Sequence, residues 1–195
     1  MRRALLIALV FLLAAAGEAS AHTTIDAAAN TPYQRWVDGA KVPTPDLTLA
    51  VVPEGCPGRE EPACTWEGGP IYLARGWADR GTFLHELGHQ FDYVVMSDAA
   101  RDRFRQIIGD ERPWRSSPNS PHEKFAEAFN YCARFGDDVS RKEHRQVVLR
   151  LGGGYLYRPY YRVHRQACAL IRLASRFPSG APQLPPPGEA GWEAR

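Results

Sequence analysis

Between residues 22 and 177 the apolar positions change period several times, and each change marks a predicted element. Residues Ile25 to Asp38 carry a helical spacing and predict a short helix. Leu47 to Val52 is an aliphatic run bracketed by Pro45 and Pro53, the pattern of a strand. Pro70 to Arg75 repeats that pattern after a loop rich in Pro, Gly and Glu. From Asp79 to Val95 the period becomes helical, with Phe83, Leu84, Leu87, Phe91 and Val94 or Val95 apolar. Ser97 can cap a further helix through Phe104, Ile107 and Ile108, stopped by Gly109. A polar loop leads to Ser120-Pro121, where proline suits the first helical position. That helix should reach Arg134 and end at Gly136. Ser140 with Glu143 forms a capping box for a helix through Leu151, broken at Gly152. A last helix is predicted from Tyr160 to Phe177.

Strands followed by a run of helices predict an α+β fold, a small twisted sheet packed against the helix of residues 79–95 with a helical subdomain behind it. The two ends of the chain fall outside that domain, taken as residues 22–177. Arg2 and Arg3 precede the apolar run Ala4 to Ala16, and Ala19-Ser20-Ala21 is a small-x-small site, so residues 1–21 read as a signal peptide. The run is too short to cross about 30 Å of hydrocarbon, so no stable membrane insertion is expected after cleavage. From Pro178 the periodicity is lost, and with Pro185-Pro186-Pro187 residues 178–195 read as a Pro-rich disordered tail.

Charge and cysteines narrow the function. The formal net charge is +2, which excludes the concentrated basic surface that a nucleic-acid partner needs. The basic stretch Arg141 to Arg176 interleaves its charges with apolar residues and reads as a solvated helix face. Four cysteines in an exported chain predict two disulfides. Cys56 and Cys64 are close enough to clip one loop, and Cys132 and Cys168 would then join two helices. No CxxC spacing supports a thiolate zinc site. The localisation expected is secreted.

The chemistry lies in His85-Glu86-Leu87-Gly88-His89. Two histidines at i and i+4 on a helix face the same way and can bind one Zn²⁺. Glu86, one step round the helix, can act as general base toward a water polarised by the ion. The same string turns up by chance in amphipathic helices, and its setting after an aliphatic strand in an exported chain argues against chance. A metzincin would need Gly at 92 and His at 95, where this chain has Asp92 and Val95. That leaves a carboxylate from a downstream helix as third ligand. Glu123 and Glu127 are four apart on the helix that starts at Pro121, so both face one side. Glu123 also stands three after Ser120 and could close a capping box, in which case Glu127 would be the ligand.

The string HELGHQFD together with Glu123-Lys124-Phe125-Ala126-Glu127-Ala128-Phe129, about thirty residues later, resembles the lethal-factor-like branch of the gluzincin metallopeptidases. That branch includes the secreted proline-proline endopeptidases. The resemblance runs from about Pro70 to Cys132. It implies a zincin-like fold, a peptide or protein substrate, Zn²⁺ held by His85, His89 and Glu123, and Glu86 as general base. It also implies that Glu127 and Asp92 hold the ligands from behind. The family places a Tyr seven residues before the ligand Glu to stabilise the oxyanion, whereas this chain has Ser116. Substitutes for it are His122, Tyr155, Tyr157, Tyr160, Tyr161 and His164. A non-catalytic, zinc-containing binding protein is the competing class.

Three smaller readings complete the sequence. Tyr155 to Tyr161 suits helix packing, and His144 an exposed helix face. His22 would head the mature chain, where an α-amine beside an imidazole suits Cu²⁺. The strand Ile71 to Arg75 would border the cleft and accept an extended peptide as an added strand.

Overall fold

The computed structural model describes residues 22–28, 31–116, 119–137 and 160–177. The expected signal peptide, the helix from Ser140 to Leu151 and the Pro-rich tail lie outside them. Among the described residues no helix is long and apolar enough to cross a membrane.

The aliphatic run between the two prolines forms a strand, and it recruits partners on both sides. It is β2 (Thr48–Val52), placed between β1 (Thr24–Asp26) and β4 (Ile71–Leu73), with β3 (Ala63–Cys64) on the far side of β4. β1 and β4 run parallel to β2, and β3 runs antiparallel to β4. The segment read as one helix from Ile25 to Asp38 is corrected here. Thr24–Asp26 is a strand in register with Thr48–Ala50, and only Tyr33–Asp38 is helical (α1). Thr24 and Ile25 are β-branched and find a ladder partner in β2, a long-range pairing that local periodicity cannot report. Gln34 of α1 accepts the Ile25 N–H at 2.8 Å through its side chain, which ties the two pieces together.

The expectation for Ile71 to Arg75 also needs correction. β4 is an inner strand because β3 covers Leu73 and Tyr72, so a peptide cannot add there. The Cys56–Cys64 disulfide closes the loop that leads into β3, and Cys64 itself pairs with Tyr72.

The helices follow their caps. α2 (Arg80–Val95) starts at Asp79, whose carboxylate accepts the Gly81 and Thr82 N–H groups at 2.7 and 3.1 Å. α3 (Asp98–Ile108) starts at Ser97, which accepts from Ala100, and ends at Gly109 in the left-handed conformation (φ 64°). α4 (Pro121–Phe135) has proline in its first turn, and α5 (Tyr160–Arg176) crosses its C-terminal end.

Burial on α2 runs round most of the helix, because the sheet covers one side and α4 the other. Phe83, Leu84, Leu87 and Phe91 join Ile71, Leu73, Phe125 and Phe129 in the core. Truncating one of these phenylalanines to alanine should cost about 3–5 kcal/mol. The closest approach is at Gly88, where an added Cβ would lie 2.8 Å from the Ala126 Cα and carbonyl oxygen. The contact depends on glycine, and it brings the faces carrying His85, His89, Glu123 and Glu127 together. A second disulfide, Cys132–Cys168, joins α4 to α5. Both cysteine pairings match the sequence expectation. Two disulfides fit an oxidising, extracellular compartment.

Candidate metal centre

Three donors converge in the groove between α2 and α4. Nε2 of His85 is 3.3 Å from Glu123 Oε2, and Nε2 of His89 is 3.5 Å from the same oxygen. His85, His89 and Glu123 thereby form a group that can hold a metal ion. A tetrahedral ion with bonds of about 2.0–2.2 Å separates its ligands by about 3.3–3.6 Å, so both histidine–Glu123 spacings fit such an ion. The donor set of two imidazoles and one carboxylate suits a borderline divalent cation and leaves a fourth position open. Ser120 makes no side-chain cap hydrogen bond, and Glu123 is turned toward the histidines.

Each histidine is steadied at its other nitrogen. His85 Nδ1 lies 3.0 Å from Glu127 Oε2, which also accepts from Asn130 at 3.4 Å. His89 Nδ1 lies 3.0 Å from His122 Nε2. These contacts leave the Nε2 atoms for an ion, and Glu127 stands to His85 as a carboxylate stands behind a metal-bound histidine. Asp92 is fully buried but does not reach a ligand directly. Its Oδ2 lies 3.3 Å from His122 Nε2, and its carboxylate accepts from Arg101 Nε (2.8 Å) and Trp114 Nε1 (3.1 Å). Asp92 and His89 thus meet at one atom, His122 Nε2.

Sequence reasoning had considered His122 only for the oxyanion. Its signal was its place next to Glu123 in the first turn of α4, but the contact with His89 depends on how two helices pack.

The electrostatics follow from burying three carboxylates beside two imidazoles. Burial disfavours a charged His85, yet the hydrogen bonds it donates to Glu123 and Glu127 outweigh burial and raise its pKa to about 10. Burial lowers that of His89 to about 4 against the pull of Glu123. Glu123 is itself desolvated, but the two histidines hold its carboxyl well below the usual range. With protein groups alone, His85 carries the positive charge that the carboxylates demand. A divalent cation meets the same demand. Glu86 differs from its neighbours: desolvation, helped by Glu123 and Glu61, raises its pKa to about 7, and His85 opposes the shift. A carboxylate poised near neutrality in a buried site is suited to accept and return a proton.

Of the oxyanion substitutes, His122 is engaged as described, and His164 belongs to another cluster with Cys132 and Cys168. Tyr155 and Tyr157 lie outside the described residues, as do the side chains of Tyr160 and Tyr161. Ser116 is exposed. Tyr93 was missed. It stands one turn beyond His89 on α2, its ring 5.7 Å from that of His122, with the Arg115 guanidinium 4.9 Å over its face. Burial raises its hydroxyl pKa, with Arg115 opposing and Asp92, Glu123 and Glu86 adding to the shift. The phenol therefore stays protonated and able to donate. Its spacing of i+4 from His89 was the available signal.

Tyr93, Trp114 and Arg115 also line a cavity of about 520 Å³, together with Met96 and Arg101. Elsewhere on α2 the fully buried Gln90 donates to Thr65 Oγ1 and to the carbonyls of Trp66 and Gly69, which ties the helix to the loop before β4. His22 lies away from this group, its Nε2 3.0 Å from Asp38 Oδ1.

No family model, curated protein or solved structure matches this chain. The functional reading rests on the residues themselves.

Proposed function

We propose that the protein is an exported zinc endopeptidase of zincin-like fold, its signal peptide removed, acting on peptide or protein substrates. The single observation behind this reading is the convergence of His85, His89 and Glu123 beside the buried, proton-accepting Glu86. Zinc, when bound, would act as a Lewis acid and lower the pKa of water in its open position. The remaining work falls to the chain. His85, His89 and Glu123 would hold the ion, with Glu127 and His122 fixing the ring orientations. Glu86 would take the proton from the attacking water and pass it to the leaving amine. Tyr93, kept protonated by burial, would donate to the carbonyl oxygen as negative charge develops there. An extended substrate would run along the outer edge of β3, the uncovered strand nearest α2.

Glu86→Gln tests this. The substitution preserves size and leaves the three ligands in place, so the variant should fold and bind zinc. Cleavage of a peptide that the wild type cuts in a chelator-sensitive way should fall about 10²–10⁴-fold. Full zinc loading of the wild type without cleavage across a broad peptide library would move the assignment to a non-catalytic zinc-containing binding protein. Cleavage unchanged in Glu86→Gln would place the chemistry elsewhere.

A further inference from the structure

A second set of metal-ligating side chains lies where α4 meets α5. Cys132, Cys168 and His164 are all buried, and one donor atom from each lies within 4.8 Å of the others. His164 and Cys168 are four apart on α5, so both face α4, and Cys132 answers from α4 itself. His164 Nε2 is 3.5 Å from Cys168 Sγ and 2.7 Å from the Gly136 carbonyl oxygen, which is itself 3.5 Å from Cys168 Sγ. In the oxidised protein the two sulfurs are spent on each other and cannot bind an ion.

The geometry points to a metal site that reduction of this disulfide unmasks: Zn²⁺ held by the thiolates of Cys132 and Cys168 and by His164 Nε2, with the Gly136 carbonyl oxygen at the fourth corner. Zn–S bonds of about 2.3 Å and Zn–N bonds of about 2.0–2.1 Å set a sulfur–nitrogen separation of about 3.6 Å in a tetrahedron. The His164–Cys168 pair already has that spacing. The two sulfurs must part to about 3.8 Å, and His164 Nε2 must move its proton to Nδ1 and open its 2.7 Å contact with the Gly136 oxygen to about 3.4 Å, by side-chain rotation between helices that stay in place. Two thiolates and an imidazole are a soft-to-borderline donor set that selects zinc over calcium or magnesium.

The two states exclude each other and balance chemically. A thiol or phosphine reductant supplies two electrons, the S–S bond breaks, and each sulfur becomes a thiol. Ion binding then displaces both protons. Either state ties α4 to α5, so the helix that presents Glu123 and Glu127 would be anchored in the thiol form as well as in the disulfide form. The inference does not depend on peptidase activity.

The test uses the full protein in a Cys56→Ser/Cys64→Ser background, so that no other thiols compete. Co²⁺ is titrated anaerobically into the oxidised and phosphine-reduced forms, with far-UV circular dichroism followed throughout. The reduced form should take up one more ion per chain than the oxidised form, with thiolate-to-cobalt charge-transfer absorption and helix content retained. Because the readout is a difference, it is independent of loading at the first site. His164→Ala should weaken the added site by more than the about 10–100-fold that loss of a supporting partner costs. Cys132→Ser/Cys168→Ser should abolish it. Equal uptake by both redox forms, charge transfer undiminished in His164→Ala, or helix content that collapses on reduction with the ion present would each overturn the inference.

Discussion

Helix α4 is tied to its neighbours at both ends by opposite means. Near its N-terminus Glu123 and Glu127 meet His85 and His89 of α2 through charge and hydrogen bonds, in a groove that reaches solvent. Near its C-terminus Cys132 meets Cys168 of α5 through a covalent bond in the fully buried core. The first tie can exchange protons and ions on the timescale of a reaction, whereas the second cannot. Polar, ion-binding groups gather where the connection is labile, and the covalent connection, which changes only on reduction, holds the helix that presents them. The two ends should therefore fail differently.

Removing a ligand should produce the largest effect and confine it to one end. Glu123→Ala should lose most of its zinc when metal content is measured after dialysis, with the thermal midpoint little changed. Glu127→Ala, which removes only the partner behind His85, should weaken zinc about 10–100-fold. Equal retention in both would sink the assignment of Glu123 as ligand.

Breaking the other end should invert the pattern. Cys132→Ser/Cys168→Ser opens a loop spanning 36 residues in sequence, and chain-entropy arithmetic puts the loss at about 4 kcal/mol. Cys56→Ser/Cys64→Ser opens a span of 8, for about 2.5 kcal/mol. Denaturant midpoints of the two variants should fall in that order, with zinc content near one per chain in both.

Tyr93→Phe should disturb neither tie. It should lower kcat about 10²–10³-fold through loss of one oxyanion donor, with zinc content and stability unchanged. Unchanged kcat would remove Tyr93 from the mechanism.

The smallest effect belongs to the residue that holds the approach to α4. Arg112 and Lys124 hydrogen-bond to the Asp110 carboxylate and hold its pKa well below the usual range. A depressed folded-state pKa adds stability above the unfolded value, near pH 3.9, and that stability is lost as pH falls through the folded value. Asp110→Asn should cost up to about 1 kcal/mol at neutral pH, because solvent screens the exposed Arg112 side of the group. The gap to wild type should close below about pH 4 in a series of urea melts.

What could be read from residues alone was local. Asp79, Ser97, Gly109, Pro121 and Gly136 mark helix ends by short-range sterics and hydrogen bonding, and the helices begin and end at them. The i, i+4 spacings place His85 with His89 and Glu123 with Glu127 on shared faces for the same reason. What could not be read depends on contacts between distant segments. β1 needs β2 to become a strand, and β3, two residues long, is a strand only through its pairing with β4. His122 meets His89 only once α2 and α4 have packed. Tyr93 meets Arg115 through the Trp114–Arg115 loop, held against α4 by the His122 N–H to Trp114 carbonyl bond of 2.9 Å.

Gly88 bears on how the metal centre would fill and empty. The contact of its backbone with Ala126 lies at the middle of the four polar residues, so the distance across the groove is set by main chain against main chain. Rotamer choices of long side chains have little part in it. Donors mounted on so stiff a frame are assembled before an ion arrives, and little ordering entropy is lost when it binds. Loading would then be a docking event instead of a folding event. Chelation would strip the ion and leave the frame standing, ready to refill without passing through an unfolded chain.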